Sequence, residues 1–190
     1  MRSRRVAETL TAAAGATALL WAVATALDDP GVDRTLGLSA AVVGAAVAGH
    51  GLAGADTDLE RTAAIDWRPR RAAHVALVVA AVLGIVAATA LTGHSLGQVG
   101  GVARNAVGAC GLVALAATTL GASRAWVPPI LWAMAAPGIL HQFWPTPGEP
   151  GYAQVLTWPD QPAASGAAVI TAVVLGAAGT GAYAILGPRP

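Results

Sequence analysis

The length of the apolar segments constrains this chain more than any other feature. Apolar residues come in runs of about 20, and a helix of that length crosses a hydrocarbon core about 30 Å thick. Of all residues 55% are hydrophobic and 11% are charged, whereas soluble domains carry about 25% charged residues. We therefore predict an all-α polytopic membrane bundle, a single transmembrane domain over 1–190. Its six transmembrane helices are predicted at about 7–27, 35–54, 72–92, 99–121, 125–143 and 164–186.

The basic residues predict the orientation of the bundle. All eleven are Arg, and loops rich in Arg stay on the cytoplasmic side of a membrane. Arg34 alone falls in a loop on the other side, and Arg104 lies just inside the fourth span. We expect both termini in the cytoplasm and the protein in the cytoplasmic (inner) membrane, with the lipid bilayer as its surroundings. A formal charge of +1 argues against binding to nucleic acid. The arginines on the cytoplasmic side are Arg2, Arg4, Arg5, Arg61, Arg68, Arg70, Arg71, Arg124 and Arg189.

Charge is concentrated in the loop between the second and third spans, "DTDLERTAAIDWRPRR" at 56–71. Thr57 followed by Glu60 fits a capping box, which predicts a short helix at about 58–66 that ends before Pro69. Such a helix would lie along the inner interface, with Trp67 toward the bilayer or the bundle. The alternative is a solvated loop that obeys the positive-inside rule. The residues predicted to be available to a partner are Asp58, Glu60, Arg61 and Asp66.

The other long loop is external and spans about 144–163. Its sequence, "WPTPGEPGYAQVLTWPDQPAAS" when read on to 165, contains no Arg. The stretch "YAQVLTW" between the prolines suggests a short interfacial or re-entrant helix, and a plain linker is the alternative.

Arg104 and Asn105 lie within the fourth span, about a turn below its external end. A charge at that depth is costly unless it reaches the headgroups or finds a partner. We therefore consider two interpretations: Arg104 extends to the outer headgroups, or it has a functional role, either lining a cavity or pairing with an acid such as Asp160.

Small residues recur every fourth position in two of the predicted spans, which allows close packing of helices in a membrane. One such row is Ala106, Cys110, Ala114 and Thr118, and another is Ala41, Ala45 and Gly49.

The sequence gives little support for enzymatic chemistry. The chain has no Lys, which excludes a Walker A lysine and a Schiff base, and no Cys or His cluster has metal-ligand spacing. Four histidines near the span ends would instead suit axial ligation of two b-type haems, although a histidine near a span end is also explained by its polar surroundings. They are His50, His74, His94 and His141.

This organisation resembles the membrane subunit of an ABC-2 type exporter: six spans with cytoplasmic ends, an interfacial helix between spans two and three, and an extended external segment between spans five and six. The strings "LERTAAIDWRPRRAAH" (59–74) and "RNAVGACGLVALAATTLGASRAWVPP" (104–129) are similar to small actinobacterial integral membrane proteins of this permease-like kind.

The resemblance implies a coupling helix at 58–68 that contacts a separate ATP-binding subunit, which would carry the ATP and Mg²⁺. It also implies a homodimer, or a heterodimer with a second membrane subunit, and an external segment that helps to close the outer gate. Asp58, Glu60, Arg61, Asp66, Trp67 and Arg68 would then contact the ATPase, with Arg104 and Asn105 in the translocation pathway. This chain itself would be no enzyme and would hold no cofactor. A b-type haem-binding electron carrier and an accessory membrane protein without transport activity are the alternatives.

Overall fold

The structure is a computed structural model that describes residues 41–47, 49, 52, 66–90, 98–135 and 151–189. These residues form helices and turns, with no strand among them. The predicted first span and most of the second lie outside the described residues, as do the second half of the fifth span and residues 144–150. The helices are α1 (Arg68–Ala90), α2 (Val99–Thr119), α3 (Val127–Ala135), α4 (Gly151–Leu156) and α5 (Gly166–Leu186), and residues 41–47 are also helical.

Helix α1 begins four residues earlier than the predicted third span. The Asp66 carboxylate accepts a hydrogen bond of 3.0 Å from the backbone N–H of Arg68, which satisfies one free donor at the helix start. Pro69 occupies the first turn, where a proline has no hydrogen bond to lose, so it helps to start α1 and does not end a preceding helix. Asp66 and Trp67 are not helical. The predicted interfacial helix at 58–68 therefore does not include residues 66 and 67. Residues 58–65 lie outside the described part of the chain.

Helices α2 and α5 follow the predicted fourth and sixth spans to within two residues at each end. The Ser165 hydroxyl accepts a 3.3 Å hydrogen bond from the backbone N–H of Ala168 and caps the start of α5. Gly187 ends the helix at a φ of 73°, in the left-handed region that favours glycine, and its N–H bonds the Tyr183 carbonyl.

Helix α2 is the centre of the fold, and α5 packs along it through glycines. A Cβ added at Gly179 would lie 2.7 Å from the carbonyl carbon of Gly111, so two backbones touch where these helices cross. A Cβ at Gly176 would lie 2.8 Å from a methyl group of Val107. Such close approach maximises van der Waals contact between helices.

The predicted rows of small residues are both buried. Ala106, Cys110, Ala114 and Thr118 are at most 7% exposed, and Ala41 and Ala45 are at most 1% exposed. Ala41 shares a core cluster with Ala106, and Ala45 shares another with Cys110 and Ala114. The helical segment 41–47 therefore packs on this face of α2, and Cys110 is a core residue.

Contacts between helix ends fix the relative directions of α1, α2 and α5. At the end of α5, Arg189 donates from its backbone to the Ala117 carbonyl and from its side chain to the Thr119 carbonyl, both at 2.9 Å. Gly187 lies against the guanidinium of Arg71 at the start of α1. Helices α2 and α5 are thus parallel to each other and antiparallel to α1. Five of the six described arginines lie at this one end, called the arginine end: Arg68, Arg70, Arg71, Arg124 and Arg189.

Two described helices, Val99–Thr119 and Gly166–Leu186, are long and apolar enough to cross a membrane. Their surroundings differ, since the most apolar 18-residue window is 67% buried in α2 and only 22% buried in α5. A buried apolar helix also occurs in soluble cores, but α5 turns its apolar residues outward. Ile170, Val173, Val174, Ile185 and Leu186 are each at least 57% exposed. This outward apolar face suggests association with a membrane.

Candidate functional site

Arg104 and Asn105 are buried in α2 at the end opposite the arginine end. They are 7% and 4% exposed. At about 1.5 Å per residue, Arg104 lies about 7 Å along the axis from the first residue of α2. A buried guanidinium needs hydrogen-bond acceptors around it, because an ion removed from water otherwise costs several kcal/mol.

The acceptors are backbone carbonyls of residues 157–162, called the proline turn. The Arg104 guanidinium donates to the carbonyls of Pro162 and Gln161, both at 2.8 Å, and to that of Pro159 at 3.2 Å. Its Nε donates to the Asn105 side-chain oxygen at 3.1 Å. The positive charge is thus stabilised by several carbonyl dipoles.

Asn105 completes the same contact by donating from its side-chain nitrogen to the Pro159 carbonyl at 2.8 Å. Two adjacent side chains of α2 therefore bond three carbonyls that lie 54 to 58 residues further along the chain. The acceptors flank Asp160, the acid that the sequence suggested as a partner for Arg104.

The chemistry of the proline turn explains why it needs these donors. Proline has no N–H and interrupts regular helical pairing; the Pro162 carbonyl accepts the Ser165 N–H, and the Pro159 and Gln161 carbonyls take their donors from α2. Buried backbone polar groups need such partners. Arg104 and Asn105 supply them from the neighbouring helix.

Local hydrogen bonds hold the turn in one shape. Thr157 is completely buried, and its hydroxyl donates to the Ala153 carbonyl at 2.8 Å while it accepts from the Gln161 side chain at 2.7 Å. The Ser165 hydroxyl bonds Gln154 at 3.0 Å and so connects the start of α5 to α4. These bonds close α4, the proline turn and the cap of α5 into one unit.

Trp158 inserts this unit into the bundle. The side chain is 2% exposed and packs in a cluster with Leu112, Ala168 and Ala172. A Cβ on Gly108 would lie 2.7 Å from a carbon of the indole ring, so only glycine leaves room for it. Gly108 is nine residues into α2, about 13 Å along the axis. The proline turn therefore enters the space between α2 and α5 and does not simply cover their ends.

The indole nitrogen of Trp158 is buried and has no hydrogen-bond partner. Trp132 on α3 behaves differently, since its indole N–H donates to the Leu156 carbonyl at 2.8 Å. An unpaired buried donor costs about 1–3 kcal/mol. Shape complementarity with Gly108 therefore accounts for the position of Trp158, and hydrogen bonding does not.

A separate cavity of about 300 Å³ lies between α1, α2 and α5. Its walls are apolar except for the Thr180 hydroxyl, and neither Arg104 nor Asn105 contributes to them. Both were predicted as pathway residues, and the structure places them in the contact with the proline turn. The lining residues are Val75, Ala76, Val79, Ala80, Leu83, Val107, Gly111, Gly176 and Thr180.

The residues predicted to contact an ATPase fall into two groups. Asp58, Glu60 and Arg61 lie outside the described residues. Asp66 and Arg68 are exposed and Trp67 is half-buried, all at the start of α1. The guanidinium of Arg70 lies 5.4 Å from the centre of the Trp67 ring. Asp66 is the one acid among the described residues of the arginine end.

Of the four predicted haem ligands, His74 alone lies in the described part of the chain. Its Nε2 is buried without a hydrogen-bond partner. His50, His94 and His141 lie outside that part. Within the described ranges no group of three His, Cys, Asp or Glu side chains is placed to hold a metal ion.

The sequence identified Arg104 and Asn105 but missed their acceptors. The prolines at 159 and 162, beside Trp158 in the predicted external loop, were the available signal, because a residue without an N–H interrupts regular backbone pairing. Backbone acceptors are not encoded by side-chain type, so the three carbonyls became visible only in the fold.

Neither protein-family models, nor curated proteins, nor solved structures match this chain. Functional inference therefore depends on its own sequence and geometry.

Proposed function

We propose that the chain is a six-helix protein of the cytoplasmic membrane with both termini inside. The outward apolar face of α5 supports contact with lipid. The antiparallel arrangement of α1 against α2 and α5 supports successive crossings, and the five arginines at one end fit the cytoplasmic side.

Cysteine labelling tests this placement. On a Cys110→Ala background, Ser123→Cys lies at the arginine end and Ala164→Cys beside the proline turn, and both positions are exposed. We expect a membrane-impermeant maleimide to label Ala164→Cys on intact cells, and Ser123→Cys only after the cells are opened. Equal labelling of both on intact cells, or recovery of the protein in the soluble fraction, would refute the placement.

We further propose that this bundle is the membrane subunit of an ABC-type exporter and works with a separate ATP-binding subunit. The observation that carries this proposal is the difference between the two ends of the bundle. One end is charged, adjoins the loop predicted for coupling, and is suited to a water-soluble motor. The other end is closed by the proline turn, which Arg104 and Asn105 hold in place.

In this mechanism the partner binds and hydrolyses ATP, and its closure moves the helices between inward-open and outward-open arrangements. Residues 58–68 transmit the motion, and a second copy or a second membrane subunit completes the pathway. The apolar walls of the cavity between α1, α2 and α5 suit a hydrophobic cargo. The chain contributes binding and movement, and the chemistry belongs to the partner.

Purification in gentle detergent from the native host tests the exporter proposal. We expect mass spectrometry to identify an ATP-binding subunit with the wild type, and its loss with Glu60→Ala/Arg61→Ala. Arg34→Ala is the matched control, since the topology places it on the opposite side. A protein that purifies alone and colourless would contradict the exporter proposal and leave an accessory membrane protein.

A b-type haem carrier is the second candidate, and the unpartnered Nε2 of His74 is the observation in its favour. His74 would supply one axial ligand to the iron, and the haem would supply the electron-transfer chemistry. We expect a Soret band in protein purified from its host and its loss in His74→Ala, with Thr180→Ala as a control. Colourless wild-type protein that remains colourless after haem is added would exclude this function.

A further inference from the structure

We propose that the arginine end binds anionic phospholipid headgroups of the surrounding leaflet through Arg68, Arg70 and Arg124. This inference depends on the membrane placement proposed above. It does not require the exporter role, although Arg68 is also one of the residues predicted to contact the ATPase.

The position of these side chains relative to the helix ends is the first argument. Arg68 and Arg70 lie in the first turn of α1, and Arg124 lies in the short 3-10 turn that follows α2. All three are exposed and lie within about a turn and a half of a helix end. In helices that cross a bilayer, side chains at this level meet the phosphates of the headgroups.

The local charge balance is the second argument. The first turn of α1 has no acidic residue, and the positive end of the helix dipole adds to the charges of Arg68 and Arg70. Asp66 is close, but one of its oxygens already accepts the N–H of Arg68. The other two arginines of this end are used within the fold, since Arg189 bonds the Thr119 carbonyl and Arg71 lies against Gly187.

Aromatic side chains supply the third argument. Arg70 lies over the Trp67 ring, and Trp126, which is 39% exposed, follows Arg124 by two residues. The indole N–H of Trp126 bonds the Ser123 carbonyl, which fixes the ring beside the arginine. Tryptophan favours the headgroup level of a membrane, so each pair places a cation and an aromatic ring at the same depth.

A lipid surface fits these features better than an acidic protein does. The arginines surround the helix ends at headgroup depth, and none of the three projects from a long loop. Each basic residue near an anionic leaflet changes lipid affinity by about fivefold. A lipid beside one of the three arginines would therefore be preferred by about fivefold and a lipid beside two by about 25-fold, which brackets a preference of about tenfold for anionic over zwitterionic lipid.

Spin-labelled lipids measure this preference directly. The full chain is reconstituted in phosphatidylcholine vesicles, and its association with chain-labelled phosphatidylglycerol is compared with that of chain-labelled phosphatidylcholine. We expect wild-type protein to prefer phosphatidylglycerol by about tenfold, with the preference falling as salt is added. Arg68→Gln/Arg70→Gln/Arg124→Gln should reduce the ratio toward one, and Arg34→Gln should leave it unchanged.

Three results would overturn the proposal: equal association of both lipids with wild-type protein, an unchanged preference in the triple variant, or equal loss in Arg34→Gln. Competition by inorganic phosphate at millimolar levels as effective as that by lipid would assign the site to a free anion. Capture of an acidic protein through Arg68, Arg70 and Arg124, without any lipid preference, would assign these residues to a protein partner. The salt series needs only wild-type protein, so poor folding of the variant cannot hide the outcome. The cysteine-labelling test reports the membrane placement separately.

Discussion

Replacement of Arg104 by Met tests whether the guanidinium holds the proline turn in the bundle. Met has a similar length and no donor, so the three bonds to the carbonyls of Pro159, Gln161 and Pro162 are lost. The Pro159 carbonyl keeps the Asn105 side chain as a donor and the Pro162 carbonyl keeps the backbone N–H of Ser165, so the Gln161 carbonyl is the one that loses its donor.

The magnitude follows from those bonds. The Gln161 carbonyl is the one left without its donor, at a cost of about 1–3 kcal/mol. Hydrogen bonds between membrane helices average about 0.6 kcal/mol, so the three lost bonds contribute about 2 kcal/mol, within the same range. At 1.4 kcal/mol per factor of ten, opening of the turn should become about 30-fold easier.

Alkylation of a buried cysteine reports this opening. Ala153 is completely buried in α4, which belongs to the same unit as the proline turn. Ala153→Cys on a Cys110→Ala background should therefore react slowly with maleimide. Adding Arg104→Met should accelerate the reaction about 30-fold. Asn105→Ala removes the bond to the Pro159 carbonyl and the acceptor of the Arg104 Nε–H, while Arg104 still bonds all three carbonyls, so we expect about a fivefold change.

Arg124→Met is the matched control, because Arg124 is exposed at the opposite end and should leave the alkylation rate unchanged. A rate in Arg104→Met within about threefold of the parent would refute the reasoning, since the guanidinium would then contribute less than about 0.7 kcal/mol.

Substitutions at four further positions test contacts within the bundle, each by thermal unfolding in detergent. Gly179→Val should destabilise the protein by about 3 kcal/mol or more, because the new side chain meets the α2 backbone. Gly181→Ala, with nothing within 4 Å of the new methyl group, should be neutral or slightly stabilising, and equal loss in both would contradict the proposed crossing. Trp158→Phe should cost about 1–3 kcal/mol, because the smaller ring loses the part of the indole that packs on Gly108, whereas Trp158→Ala should cost about 3–5 kcal/mol. An unchanged melting temperature in both variants would contradict the packing of Trp158 on Gly108. Tyr183→Phe should cost about 1 kcal/mol, because its hydroxyl donates to the buried Leu52 carbonyl at 2.9 Å, and an unchanged melting temperature would argue against that bond.

Local sequence was sufficient to predict the main helices that the structure describes. The ends of α2 and α5 agree with prediction to within two residues, because apolar run length and flanking Gly, Ser and Pro act over a few neighbours. The sequence predicts the start of α1 four residues too late, because a proline such as Pro69 usually breaks a helix. A proline in the first turn loses no hydrogen bond, and the cap from Asp66 decides where the helix begins.

The short helix in the predicted external loop could also be predicted locally, whereas its surroundings in the fold could not. A helix over part of "YAQVLTW" was one of two predictions, and α4 is observed there. The insertion of the neighbouring proline turn between α2 and α5 could not be predicted, because it depends on the absence of a side chain at Gly108, which lies 50 residues earlier than Trp158.

The sequence by itself determined the apolar helices, their boundaries and the unequal distribution of arginine, since each depends on residue type and local spacing. It also identified Arg104 as a charge in need of a partner. Only the tertiary structure decided what that partner is, because the acceptors are backbone carbonyls 55 to 58 residues away. It likewise decided that α2 is the buried centre and α5 the exposed neighbour. Both are nearly continuous apolar helices, and their burial depends on which surfaces meet in the folded chain.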